Sequence, residues 1–260
     1  MHGGYTHANV LWSDKILKNI DSYDETSAYP YVMVASNHFP MGEFRKCYIK
    51  KLTDIRPWNC YLIKVRFTKI ECKYYNNFIS MSKCRHIRGG VYDNGRVMKA
   101  ETLEISLTDV DLKFICDTYN YETIEFLDSF VSYADYLPKT LIEFILDKYV
   151  AKTELKDVEG KEVEYSKIKN LFNGIYGMTV TNMICDDVIF ENEIGWREEP
   201  LDNDTIIEKL TKEKKKGFLN FAWGIFVTSL ARDNLLRRVI ENDYYCCYCD
   251  TDSQKLLPRL

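Results

Sequence analysis

The stretch Tyr248-Cys249-Asp250-Thr251-Asp252-Ser253 decides how the rest of the chain is read. It follows a run of Tyr and Cys and precedes Gln254 to Leu256. Strand, tight acidic turn, strand is the pattern of a hairpin. Residues two apart on an extended segment point the same way, so Asp250 and Asp252 are expected to share a face. Two like charges at short range repel each other. The arrangement is stable with a cation between them or with one pKa raised. A pair of Mg²⁺ ions suits such a site, because Mg²⁺ prefers carboxylate oxygen and keeps positions open for phosphate. An Asp-x-Asp taken alone is more often a solvated hairpin tip.

Three further segments hold groups of the same kind. Asp24 lies in Tyr23-Asp24-Glu25-Thr26-Ser27-Ala28-Tyr29-Pro30, where a strand after Ile20 can stop and Pro30 is expected to end any regular element. Residues Glu25 to Tyr29 can then turn with backbone N–H groups exposed, which attracts anions, although a plain loop reads the same way. Lys169, Asn173 and Tyr176 fall at i, i+4 and i+7 and share one helix face, fit for phosphate, sugar and base or for simple amphipathic packing. Gly174 costs that helix roughly 1 kcal/mol against Ala, which predicts a close neighbour. Thr228 and Arg232, one turn apart, can touch a phosphodiester or form a surface pair. Cys246, Cys247 and Cys249 read as strand residues, since His2, His7, His38 and His86 and the other cysteines form no zinc pattern.

The chain has 260 residues and 30.6 kDa, 46% hydrophobic and 28% charged, which excludes disorder and collagen-like repeats. No run of about 18 apolar residues offers a membrane span. The start, Met1-His2-Gly3-Gly4-Tyr5, lacks the basic and apolar regions of a signal peptide. The nine cysteines are therefore expected as reduced thiols in a cytoplasm. A net charge of −4 conceals segregation: Arg45 to Lys99 has fourteen basic residues against three acidic, and Glu101 to Asp135 has nine acidic against one basic. The basic block is either a solvated face or a footprint for phosphates.

Alternation of Ile63, Val65 and Phe67 with Lys64, Arg66 and Thr68 predicts a half-buried strand with a basic outer face. Arg88-Gly89-Gly90 and Asp93-Asn94-Gly95 predict turns between strands, and Thr102 to Leu107 another strand. Thr108, with Asp111 three residues on, predicts a capped helix through Tyr119. Helical spacing is expected after Leu137-Pro138, from about Val163 to Tyr176 with Gly177 closing, and from about Gly224 to Glu241. Residues 183–217 read as polar and irregular, with Lys212 to Lys216 a solvated helix end. Strands and helices alternate in blocks, which predicts an α+β fold.

In order and spacing, Asp24-x2-Ser27-Ala28-Tyr29-Pro30, Lys169-x3-Asn173-x2-Tyr176-Gly177 and Tyr248-x-Asp250-Thr251-Asp252-Ser253 resemble motifs A, B and C of family B DNA polymerases. Gly3-Gly4-Tyr5-Thr6 is similar to the Tyr-x-Gly-Gly segment ahead of motif A, with Met1 at the Tyr position. The spacer before motif B is similar to the terminal-protein-binding insertion of protein-primed polymerases of phages and linear plasmids. Ala28, Gly174 and Met178 depart from the usual Leu, Ser and Lys, and Tyr165 stands at a position that is often Lys.

The resemblance implies a palm with an antiparallel sheet (1–40 and 218–260), a β-rich inserted region (41–136), helical fingers (137–182) and a second insertion or linker (183–217). It implies template-dependent transfer of dNTPs to a primer 3′-hydroxyl in a host cytoplasm, with two Mg²⁺ ions, or Mn²⁺ in their place. Asp24, Asp252 and the Glu25 carbonyl would hold the metals, supported by Asp250. Lys169 and Lys152 would meet the triphosphate, Tyr29 the sugar, and Asn173 and Tyr176 the base pair. Gly3, Gly4, Thr228, Arg232 and Ser253 would contact primer–template DNA, and the basic strands DNA or a terminal protein. The competing expectation is a catalytically incompetent fragment that only binds DNA or a terminal protein. A two-metal nuclease would not need the Lys169-Asn173-Tyr176 face.

Overall fold

The computed structural model describes residues 3–181, 184, 186–192, 194–216 and 220–258, with 212–216 described as backbone only. Its elements begin with β1 (Thr6–Ala8), β2 (Asp21–Asp24), α1 (Ala28–Ala35), β3 (Phe39–Pro40) and β4 (Arg45–Lys46). Then come β5 (Asn59–Cys72), β6 (Cys84–Arg88), β7 (Val91–Asp93), β8 (Arg96–Thr108), α2 (Asp109–Thr118), β9 (Tyr119–Asn120) and β10 (Thr123–Asp135). Next are α3 (Lys139–Glu154), α4 (Glu162–Val180), β11 (Asp187–Glu191), β12 (Gly195–Glu199) and α5 (Asn203–Lys216). Last are α6 (Phe221–Glu241), β13 (Cys246–Asp250) and β14 (Ser253–Leu256). The fold is α+β. One antiparallel sheet has the order β1-β13-β14-β2; a larger one runs β3-β10-β5-β8-β6, with β4, β7 and β9 at its margins. Among the described residues, strands β11 and β12 pair only with each other.

Helix α6 is the common wall. Its Leu235, Leu236 and Val239 pack into a core with Ile63, Val65 and Leu103 of the large sheet and Leu112 and Ile115 of α2. Its Trp223, Phe226 and Val227 pack into a second core with Val32 and Met33 of α1, Ile145 of α3 and Phe172 of α4. Eleven of its residues are buried, which explains why it is apolar on more than one face. Gly224 lets α4 approach: a Cβ there would stand 2.4 Å from Val180 Cγ1 and 2.6 Å from Thr179 Oγ1.

The outer face of β5 carries Lys64 and Arg66, as the alternation predicts, but it is not a free basic face. The acidic residues of β8 and β10 lie across from it. Glu104 takes Lys64 at 2.8 Å and Arg66 at 2.6 Å. Arg66 also reaches Glu125 at 2.7 Å, Lys69 reaches Glu122 at 3.2 Å and Lys46 reaches Asp128 at 3.3 Å. Opposite charges on facing strands stabilise the ladder. Four of the fourteen basic residues of that block are thus paired with carboxylates of the acidic block that follows it.

The Thr108 cap forms as expected, its Oγ1 accepting from Asp111 N at 3.1 Å. Four expectations are corrected. Pro30 does not end an element; it lies in the first turn of α1, where its missing N–H costs no bond. Gly177 does not close α4, which runs on to Val180. Gly174 has no close neighbour, since a Cβ there meets nothing within 4 Å. Residues 183–217 are not irregular but hold the β11–β12 hairpin and α5. Lys212 to Lys216 lie in α5, their side chains outside the described residues, as are Met1, His2 and Gly217. Among the described residues no helix is long and apolar enough to cross a membrane. The eight described cysteines are free thiols, with Cys246 Sγ 3.2 Å from Cys249 Sγ.

Two measurements test this packing. Lys64 and Arg66 hold the Glu104 carboxyl down from its ordinary 4.5 to about 2. A carboxyl lowered on folding adds stability above its unfolded pKa and loses it as pH falls through the folded value. Glu104→Gln should therefore melt lower than the parent at pH 7, with the gap closing between about pH 4.5 and 2; a gap independent of pH would remove the ion-pair account. Gly224→Ala gains about 1 kcal/mol of helix propensity but forces stiff Val180 and Thr179 aside, an overpacking cost of about 1–3 kcal/mol. Urea unfolding should show net destabilisation, and a stabilised variant would mean that α4 yields freely.

Candidate active site

The hairpin turn between β13 and β14 is held by the start of the chain. Thr6 of β1 lies opposite Asp250, and its Oγ1 donates to Asp250 Oδ1 at 2.9 Å. Thr251 N donates to Tyr5 O at 2.8 Å, and Thr251 Oγ1 lies 3.2 Å from Asp250 Oδ1. Thr251 has φ 54, and Asp252 N donates to Asp250 O at 2.6 Å. Asp252 is therefore a turn residue, not part of an extended segment, and the two-residue alternation does not set its direction. Gly4 is required here, because a Cβ would stand 2.7 Å from Thr251 Oγ1.

Asp24 is the last residue of β2, opposite Ser253 of β14. Glu25 N donates to Asp252 O at 2.8 Å, which stitches the two acidic turns together. Partial burial pushes the Asp252 carboxyl up, and the nearby charges of Asp24 and Asp250 push it further. Burial also raises Glu25, with Asp252 and Asp24 adding to the rise and Arg238 opposing it. Glu25 Oε1 lies 3.1 Å from Arg238 Nη1 of α6, so its side chain is a tether. Among the described residues, no three His, Cys, Asp or Glu side chains form a ready metal cage. The carboxylates of Asp24 and Asp252 are near enough for the charge of one to raise the other. This oxygen set suits a hard cation that keeps water or phosphate in its remaining positions.

Helices α1, α3 and α4 bring the second group of candidates together. Ser27, at φ 58, precedes α1, and its Oγ accepts from Lys152 Nζ at 2.9 Å. The Lys152 ammonium also lies over the Phe172 ring, 4.4 Å from its centroid. Burial lowers the Lys152 pKa, and the charges of Lys169 and Lys156 lower it further. Tyr29 and Tyr176 meet with ring centroids 4.2 Å apart. Burial raises both phenols, Tyr176 to about 12. Asp252 pushes Tyr29 up while Arg232 pulls it down, so Tyr29 feels the acidic turn on one side and packs on α4 on the other. Lys169 and Asn173 are exposed on the same stretch of α4.

Thr228 and Arg232 are not a surface pair. Thr228 is 1% exposed and Arg232 8%. The Thr228 hydroxyl lies 2.8 Å from Ile225 O and 3.1 Å from Gly224 O, within its own helix. Arg232 Nη2 donates to both carboxylate oxygens of Asp111, at 2.7 and 2.8 Å, and Nη1 donates to Gly3 O. Direct grip on a DNA backbone by these two residues is therefore corrected to a structural role. Ser253 Oγ lies 3.3 Å from Asp250 O, bracing the turn. Sequence reasoning missed Asp111, Arg238 and Ser27 as partners of the site. Asp111 had been read only for its place in the α2 cap, and nothing local signals a partner 121 residues away.

The sequence profile of the family described as "DNA polymerase type B, organellar and viral" matches residues 1–256. A DNA polymerase of Bacillus phage B103 is 26% identical over 259 residues, covering 96% of this chain and 41% of that protein. One of Bacillus phage Nf is 27% identical over 258 residues, covering 96% and 41%. The fold superposes on phi29 DNA polymerase solved with primer-template DNA, with a TM-score of 0.73 and 21% identity over 100% of this chain and 42% of that one. The chain thus spans about two-fifths of the length of these relatives. With its acidic turns on adjacent strands and the profile matched almost end to end, this chain belongs to the type B DNA polymerases of organelles and viruses.

Proposed function

We propose that this chain carries the catalytic face of a template-dependent DNA polymerase, transferring dNTPs to a primer 3′-hydroxyl, with protein priming as its setting. The observation that carries the reading is the position of Tyr29, between the charge of Asp252 and the ring of Tyr176. It links the acidic turns to the helical pair that bears Lys152 and Lys169. In this reading 1–40 and 218–260 form a palm, 41–136 a terminal-protein region, 137–182 fingers and 183–217 a second insertion. Primer–template DNA, dNTPs and a terminal protein are the partners, and a host cytoplasm is the place. That relatives are phage DNA polymerases supports it.

Asp24, Asp252 and the Glu25 carbonyl would hold two Mg²⁺ ions, or Mn²⁺ in their place. Such ions make a hydroxyl a better nucleophile and neutralise charge on a triphosphate and its leaving group. The protein's own part is positioning and fixed charge. Lys169 and Lys152 would face the phosphates; Lys152, partly desolvated, must leave Ser27 to do so. Tyr29 would lie under the sugar, where a 2′-hydroxyl collides with its ring. Tyr176 and Asn173 would line the base-pair side, with Asp250 bracing the turn. Gly3, Gly4 and Ser253 would present backbone and hydroxyl to the DNA. A second reading, a fragment that only binds DNA or a terminal protein, draws on the two-fifths coverage of the relatives.

Primer extension with Mg²⁺ separates the two. Asp252→Asn should reduce incorporation at least about 100-fold, as expected for loss of a principal electrostatic contact. A carboxyl raised on folding weakens the fold at a pH where it is ionised. The same variant should therefore melt no lower than the parent in EDTA at pH 7, and Mg²⁺ should raise the parent's melting temperature alone. No extension by the parent would favour the binding-only reading. Tyr29→Val should cut the preference for dNTPs over rNTPs about 10–100-fold, the range open to a steric contact. An unchanged ratio would take the selector role from Tyr29.

A further inference from the structure

We propose that Asp111 is a positioning residue for the nucleotide pocket: through Arg232 it ties the 41–136 segment to the Gly3-Gly4 backbone that packs against the acidic turn. This rests on the polymerase reading. Asp111 belongs to α2, on the segment between the two acidic motifs, and Arg232 to α6. The Asp111 carboxylate is saturated. It accepts from Arg232 Nε at 3.1 Å and from Nη2 at 2.7 and 2.8 Å, and from Ser229 Oγ at 2.7 Å. Thr108 Oγ1 lies 2.9 Å from Ser229 Oγ and 3.0 Å from Asp111 Oδ2. Both charged side chains are nearly out of solvent, 8% exposed for Arg232 and 12% for Asp111.

Stability alone does not account for this pair. Replacing a buried ion pair by apolar residues of similar volume is often neutral or stabilising, because two desolvated charges cost as much as their attraction returns. What the pair adds is geometry. A guanidinium held by two parallel contacts cannot rotate. The Nη1 arm of Arg232 is then fixed in direction. Nη1 donates to Gly3 O, fixing the backbone beside Gly4, which packs against Thr251 of the acidic turn. Its charge also reaches the phenols of Tyr29 and Tyr176, lowering both against the burial that raises them. Asp111 thus reaches the backbone under the acidic turn through one arginine.

The test is the equilibrium affinity for dGTP with Mg²⁺, by calorimetry, beside KM and kcat in primer extension, for the full chain. Asp111→Asn keeps the volume but releases the arginine. It should weaken dGTP binding and raise KM about 10-fold while kcat stays within about 2-fold, because uniform binding is lost and not the chemistry. Asp111→Glu should recover part of the loss. A merely structural pair would instead lower the melting temperature and the active fraction with dGTP affinity and KM unchanged, and that result overturns the proposal. If Asp111→Asn does not fold, the double variant Asp111→Leu with Arg232→Met keeps the site filled. It should show the same 10-fold loss, and parental affinity in it overturns the proposal as well. Absence of dGTP binding by the parent would instead remove the polymerase reading on which the proposal stands.

Discussion

Asp24, Glu25, Asp250 and Asp252 gather at the ends of β2 and β13, on either side of the start of β14, and the rest of the fold has to restrain their repulsion. It does so with neutral donors and one tether. Thr6 and Thr251 hold Asp250, Arg238 takes the Glu25 side chain, and the Glu25 N–H fixes the carbonyl of Asp252. Burial raises the Asp252 carboxyl, and the charges of Asp24 and Asp250 add to the rise. A cation bound among these carboxylates would relieve a cost that folding has already incurred.

The same economy governs the segment between the acidic motifs. Its strands bring basic and acidic residues from separate blocks of sequence into register, so that charge is cancelled inside the sheet. Glu104 is the focus, gripped from one strand by both Lys64 and Arg66. Asp111 of α2 runs instead to Arg232 of α6, the helix that both cores share.

Features set by neighbours in sequence were legible before the structure. The β13–β14 hairpin, the Thr108 cap, the alternation along β5 and the long helices all follow from spacing and turn chemistry, and they are where expected. Where local rules compete, the sequence misleads. Pro30 breaks a helix in its interior but is welcome in the first turn, and only the location of Ser27 distinguishes the cases. Gly177 resembles a helix stop, yet α4 continues because its buried Thr179 has Gly224 to pack on. In the site, candidates that touch ligand by analogy were separated from those that hold the fold only by burial: Thr228 and Arg232 lie inside, Lys169 and Asn173 outside. The Asp111–Arg232 pair spans 121 residues, beyond the reach of any periodicity.

The partnership of β1 with β13 has a consequence for biosynthesis. Thr6 and Asp250, joined by a hydrogen bond, lie 244 residues apart. At about 5–20 residues per second, a ribosome needs roughly 10–50 s to make the second after the first. Through that interval β1 and β2 have no partners, while the strands of the large sheet, contributed by residues 39–135, are already complete. Residues 39–135 can therefore fold as the nascent chain lengthens, and the acidic turns meet only afterwards. Such an order gives the acidic cluster a finished sheet to close upon.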